Sequence, residues 1–291
     1  MNNTSPIMIR CREITEIDLE AIAQLLQKGF PKRSLRFWLT NLKLLASIPQ
    51  PTGCPQYGYL LERDSTPVGA VLTVSSRRCT DNNVSLTQCN LSSWYVEPAY
   101  RSYAALLAAK VWREKDFTYL NIDPAVHTRP IIEAQGFRCY SRGQFLAIPS
   151  LSLGGEAGAT VTRVGTEFLA QCDSRDRDLL LAHEKYGCVT LYGIGSNFSS
   201  PFVFRRRLLK GVIPCAQVVY CRTIDDIARF ARPLGRFLAS RGELFILIDS
   251  NGPISGLPGF YLNNYMPKYF KGPIAPRLGD LAYTEVAMFG V

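Results

Sequence analysis

The sequence predicts an α/β (α+β) protein built from two similar halves. Three observations lead to this. The chain has 291 residues, more than one domain usually needs and enough for two of about 130–150 residues each. Apolar strand-like runs alternate with amphipathic helical runs, in nearly the same order on either side of residue 150. Between them lies Leu151-Ser152-Leu153-Gly154-Gly155-Glu156-Ala157-Gly158-Ala159, small and nearly uncharged, as a linker is. The expected domains are 1–149 and 160–291.

In the first half, Ile9 to Ile14 is a short extended run. Thr15 caps a helix in which Leu19, Ile22, Ala23 and Leu26 recur at helical spacing, stopped by Gly29 and Pro31. Ser34 caps a second helix carrying Leu35, Trp38, Leu39, Leu42 and Leu45. Tyr57 to Glu62 and Val68 to Ser75 read as strands joined by the turn-forming Arg63-Asp64-Ser65-Thr66-Pro67, and Val84 to Val96 as a third. Ala99 to Glu114, rich in Ala and Leu, is a helix. A strand over Phe117 to Ile122, a short helix over Arg129 to Ala134 stopped by Gly136, and a strand over Phe137 to Ile148 complete the half.

The second half repeats this plan in element order rather than in residue identity. Val161 to Val164 is a strand and Arg175 to Lys185 a helix. Cys188 to Ile194, part of Ser200 to Arg206, and Ala216 to Cys221 are strands. Thr223 caps a helix running to Gly242, Leu244 to Asp249 is a very apolar strand, 259–272 is a loop, and Ala282 to Phe289 a last strand.

Composition excludes several classes. Nine cysteines with only two histidines show no CxxC pair or ligand spacing, so neither a disulfide framework nor a metal site is expected. Met1 to Ile9 lacks the basic lead and apolar stretch of a signal peptide. No run approaches the roughly 20 apolar residues that span a bilayer, so a cytoplasmic protein is expected. The formal charge of +9 favours anionic partners. The cations are dispersed, however, with Arg205-Arg206-Arg207 and Lys210 the densest run, and a nucleic-acid partner is not expected.

The chemistry concentrates at Trp94-Tyr95-Val96-Glu97-Pro98-Ala99-Tyr100-Arg101-Ser102-Tyr103-Ala104-Ala105-Leu106, where a strand turns into a helix. Main-chain N–H groups at a helix start, beside Arg101, suit a diphosphate, and small residues admit it closely. As physics alone this is also an ordinary strand-to-helix turn. The matching turn of the second half, Cys221-Arg222-Thr223-Ile224-Asp225-Asp226, places two carboxylates where they oppose an anion.

The first segment resembles the acyl-coenzyme A motif of the GNAT N-acyltransferase superfamily, in which a strand ending in Val-x-Pro leads to an Arg or Gln, then glycines, then a helix. Val96, Pro98, Tyr100 and Arg101 fit. The glycine positions fall on Ser102, Ala104 and Leu106. Ile131-Ile132-Glu133-Ala134-Gln135-Gly136-Phe137 resembles the family's second landmark, a short helix ending in Gly-Phe. The family's proton-donating tyrosine is here Ile132, and its helix-head asparagine is Ala125. The resemblance covers about 8–148 and, by element order, 160–291, like the tandem double-GNAT architecture. It implies two domains, each a mixed, mostly antiparallel sheet flanked by helices. It also implies acetyl-CoA or another acyl-CoA as co-substrate, held by Tyr95, Val96, Arg101, Ser102, Tyr103 and Ala104, without a metal.

Candidate acid–base groups are Glu97, His127, Asp249 and Asn251. Asp249 and Asn251 follow an apolar strand, where α/β ligands collect, or else close an Asx turn. His127 faces the thioester or lies on the surface. His183-Glu184 is a second acid–base candidate, or a helix-end histidine on the dipole. The aromatic 259–272 segment grips an acceptor or packs a loop. The expected activity is acyl transfer to an amine or hydroxyl acceptor bound between the halves. That acceptor would be a small molecule or glycan, and the basic surface would suit an anionic one. The alternatives are a non-catalytic acyl-CoA binder or scaffold, for which Leu106 and Ile132 speak, and a tRNA-linked amino-acyl transferase of double-GNAT type.

Overall fold

A computed structural model describes residues 8–79, 85–165 and 172–290; the expectations for the first residues of the chain and for Val84 lie outside them. Two compact units result, Met1–Asn121 with Lys271–Ile274, and Ile122–Phe270 with Ala275–Val291. Contacts rather than sequence blocks define them, so 122–149 clusters with the later half.

The first unit carries strands in the order β1-β2-β3-β4-β5: β1 (Ile9–Glu13), β2 (Gly58–Arg63), β3 (Thr66–Cys79), β4 (Ser85–Val96) and β5 (Thr118–Asn121). All neighbours are antiparallel except β4 and β5. Helices α1 (Leu19–Gly29) and α2 (Leu35–Ala46) start where capping residues stand: Thr15 donates through N–H and Oγ1 to Asp18, and Ser34 Oγ accepts from Phe37 N–H at 3.2 Å. Their apolar stripes, Ile22, Ala23 and Leu26 with Trp38, Leu42 and Leu45, are buried. The β2–β3 turn holds Asp64 at φ 46° and Ser65 at φ 69°, the twist-matched hairpin geometry.

One expectation here is corrected. The helix does not run from Ala99 to Glu114. It begins as 3-10 turns over Pro98–Tyr103 and is α-helical, as α3, only over Ala104–Val111. Tyr100 N–H donates to Glu97 C=O at 2.8 Å, an i to i−3 bond that tightens the entry.

The second unit orders its strands β12-β6-β11-β10-β9-β8-β7, with β6 (Arg138–Ala147), β7 (Thr160–Arg163), β8 (Val189–Ile194), β9 (Ser199–Leu209), β10 (Ile213–Cys221), β11 (Phe245–Ser250) and β12 (Gly259–Lys271). Only β10 and β11 are parallel. Its helices are α4 (Arg129–Ala134), α5 (Ser174–Lys185), α6 (Ile224–Arg229), α7 (Ala231–Ala239) and α8 (Glu285–Phe289). Phe145, Phe202, Phe204, Phe230, Leu234 and Ile248 anchor the core.

Three readings of this half change. The 259–272 segment is not a loop but strand β12. Its Asn264 (φ 60°) and Met266 (φ 51°) lie in a bulge, since Asn263 pairs with Gly143 and Lys268 with Ser141, which absorbs the turn-like residues. The last apolar run is helix α8 over Glu285–Phe289 rather than a strand; a short, wholly buried run has no polar face to reveal its period. The helix after Thr223 breaks at Phe230 into α6 and α7. Each unit is thus a mostly antiparallel sheet flanked by helices, the architecture expected.

Candidate functional site

The end of β4 is shaped by a bulge. Leu72 pairs with Ser92 and Ala70 with Tyr95, so Val71 alone opposes both Ser93 and Trp94, and Ser93 adopts φ 52°. An extra residue bends a strand and re-aims the residues beyond it. On the other side, β4 pairs with β5 only over Gln88–Asn90 with Thr118–Leu120. β5 stops at Asn121 while β4 runs on to Val96. Past Asn90, that edge of β4 has no strand partner among the described residues, and an unpaired strand edge can bind an extended ligand through its main chain.

Beyond Val96 the corner is stapled from two sides. Lys28 Nζ lies 3.1 Å from Glu97 Oε1, and Arg63 Nη1 donates to Tyr100 Oη at 2.7 Å. Ala104 N–H donates to Arg101 C=O, so with Tyr100 two of the amides after Pro98 serve the 3-10 turns instead of standing open. What faces solvent is side chain: Arg101, Ser102 and Tyr103 are exposed, and no hydrogen bond or ion pair among the described residues engages the Arg101 guanidinium. Tyr95 turns inward. A Cβ on Gly29 would lie 2.4 Å from its ring, and Phe30 meets it edge-on at 6.4 Å. Val96 is buried against Gly69. Ala104 is half-buried.

The second unit repeats the opening and closes it. β10 pairs with β11 only over Cys215–Gln217 with Phe245–Leu247, then continues to Cys221. There the chain's own end fills the gap: Cys221 N–H donates to Gly279 C=O at 2.9 Å, and Leu281 N–H to Val219 C=O at 2.7 Å. Asp226 completes a capping box with Thr223 and accepts from Ser200 Oγ at 2.8 Å. That helix start is satisfied by its own carboxylate.

No protein-family model matches the chain, and no curated protein matches it by sequence. Solved structures do match by shape. A GCN5-related N-acetyltransferase from Kribbella flavida superposes with a TM-score of 0.55 at 15% identity, covering 91% of this chain and 71% of that one. A putative acetyltransferase from Pyrococcus horikoshii gives 0.53 at 13%, covering 97% and 95%. An Enterococcus faecalis V583 protein described as a probable N-acyltransferase gives 0.57 at 11%, covering 95% and 74%. The fold is that of the GCN5-related N-acetyltransferases.

Within this GNAT fold the remaining candidates fall in different places. Glu97 joins Tyr95–Ala104 at the corner. His127 lies exposed on a 3-10 turn, Val126–Thr128. Asp249 is 2% exposed, and its Oδ1 takes Lys268 Nζ at 3.0 Å and Gln144 Nε2 at 2.9 Å. Asn251 Oδ1 accepts from Arg142 N–H at 2.7 Å and its Nδ2 donates to Tyr140 C=O at 3.0 Å, so the side chain extends the β11–β6 ladder. His183 is fully buried. Its Nε2 accepts from Tyr283 N–H at 3.1 Å, which leaves the proton on Nδ1 to donate to Leu179 C=O at 2.7 Å. Ile132 is buried and Gly136 has φ 89°, the positive value its helix end requires.

Sequence reasoning missed Lys28 and Arg63, which brace the corner from 69 and 37 residues away. No local pattern marks such partners. A cleft of about 70 Å³ lies in the same unit, lined by Tyr59, Thr73, Ser75, Cys89 and Tyr119 near the end of α3. Burial pushes the Cys89 thiol and the Tyr59 phenol up to about 12, so both stay protonated at neutral pH. Among the described residues no three His, Cys, Asp or Glu side chains come together to hold a metal, and no helix is long and apolar enough to cross a membrane.

Proposed function

We propose that this chain is an acyltransferase that moves an acyl group from acyl-coenzyme A to an amine or hydroxyl acceptor, with the donor held by the first unit. The observation that carries the reading is the bulged, unpaired end of β4 leading into an exposed corner where Arg101 has no protein partner. The Kribbella, Pyrococcus and Enterococcus proteins, described as acetyl- or acyltransferases, support it.

The residues present fit such a donor. The Arg101 guanidinium suits a diphosphate, with Ser102 Oγ and Tyr103 beside it. Ala104 adds little bulk at the helix start. Tyr95 and Val96, packed inward, set the direction in which β4 offers its main-chain groups. The bound coenzyme would supply an activated thioester carbonyl. Glu97, held by Lys28, is the carboxylate placed to take the acceptor's proton, directly or through water. The formal charge of +9 favours an anionic acceptor such as a glycan or cell-envelope precursor.

Acetyl-CoA and longer acyl-CoAs should raise the melting temperature of the full chain, because a ligand that binds only the folded state adds its binding free energy to stability. Arg101→Glu should remove the shift; a shift that survives that change would place the phosphates elsewhere. Ile132, buried and without a proton to give, supports a second reading, a binder that does not catalyse. Thiol release over candidate amines and sugars separates the two, since a binder shifts the melt but releases no thiol.

A further inference from the structure

The basic run over Arg205–Lys210 has no role in acyl transfer, and its surroundings point to a separate activity. Arg205 and Arg207 turn inward, to Tyr186 C=O and to Met266 Sδ. Arg206 and Lys210 stay exposed. Between and around them stand apolar side chains that nothing covers: Leu208 is 53% exposed, Val212 74%, Ile213 36% and Leu244 54%.

These residues form one surface. Leu208 pairs with Pro214 across the β9–β10 hairpin. Leu244 directly precedes Phe245, the partner of Cys215 on the other side of β10, so it comes level with Pro214. Val212 and Ile213 form the hairpin's tip. Lys210 and Gly211 have φ 52° and 79°, and the Gly211 and Val212 N–H groups bond back to Leu208 and Leu209. The tip is therefore a closed turn, and burial of its side chains in the protein's own core is ruled out by its geometry. Arg206, Lys210 and Arg241 ring the patch. The one carboxylate near them, Glu243, is buried and lies 3.4 Å from Arg206.

We propose that this hairpin end is a peripheral docking site for an anionic phospholipid surface. Four exposed apolar side chains within a ring of cations match a bilayer interface, which accepts apolar groups below a negatively charged headgroup plane. Nucleic acid offers phosphates but no apolar layer for Val212 and Leu244. A second copy of the chain would bring like charges together.

The test is co-sedimentation of the full chain with vesicles of phosphatidylcholine alone and of two parts phosphatidylcholine to one part phosphatidylserine. The wild type should pellet with the anionic vesicles and not with the neutral ones, less so as salt rises. Val212→Asp and Leu208→Asp, both at exposed positions, should each reduce partitioning by about tenfold or more, with an unchanged melting temperature as the control for folding. Absence of binding to the anionic vesicles overturns the proposal, and so does equal binding by the variants. Duplex DNA binding that the Asp variants leave intact, without vesicle binding, would assign the basic run to nucleic acid and overturn it. Dimerisation abolished by the same variants, without vesicle binding, would make the face a self-interface and overturn it too. Acyl-coenzyme A binding is a separate readout, unaffected by either outcome.

Discussion

Gly29 has no room for a side chain, because its Cβ would fall 2.4 Å from the Tyr95 ring. Gly29→Ala should therefore push Tyr95 out of its packing and destabilise the first unit by about 1–3 kcal/mol, read by urea melts, while blunting any acyl-CoA-induced shift. Asp18 is a second sensitive residue. Hydrogen bonds from Arg12 hold its carboxyl down at about 2, despite the opposing cost of burial, and Thr15 adds to the effect. A depressed carboxylate contributes stability above its ordinary titration range and loses it as pH falls toward the folded value. Asp18→Asn should cost about 2 kcal/mol near neutral pH, with the difference from wild type vanishing toward pH 2. A constant difference across that range would show that the charge is not what stabilises. At this scale the sequence was a good guide to caps and to Gly136. It was silent on Gly29, whose reason is Tyr95, far along the chain.

The β2–β3 turn joins its strands correctly with residues poorly suited to it, since Asp64 and Ser65 both sit at positive φ. Ser65→Gly should stabilise the protein by about 1 kcal/mol, seen as a higher melting temperature. Elements with a clear period and a cap, such as α1, α2 and α5, were legible in the sequence. So was the strand-to-helix corner at Val96–Ala104. Its detail was not: Pro98 and the bulge at Ser93 impose 3-10 turns, which use main-chain amides expected to stand open. β12 was hidden because Asn263-Asn264 and Pro267 resemble a loop, and only pairing with β6 makes them a strand.

In the second unit, Asp249 and Lys268 form an ion pair at 3.0 Å with side chains 2% and 1% exposed. Removing one charge strands the other. Lys268→Met should cost about 3–5 kcal/mol, whereas Asp249→Leu with Lys268→Met should cost much less than the single change; a double variant as unstable as the single would show that packing, not charge, dominates there. Both units leave the second strand of their parallel pair short, and the contrast between them is the fact with most bearing on function. In one, the edge of β4 is left open beside Arg101; in the other, 279–281 bonds into the gap. Periodicity, capping residues and the Val-x-Pro corner already indicate which elements form and where an anion would bind, because those signals act between near neighbours. Which edge stays free, what the last apolar run becomes and which charge Asp249 meets depended on folding in three dimensions. Each rests on contacts between segments that are distant along the chain, and nothing local encodes them.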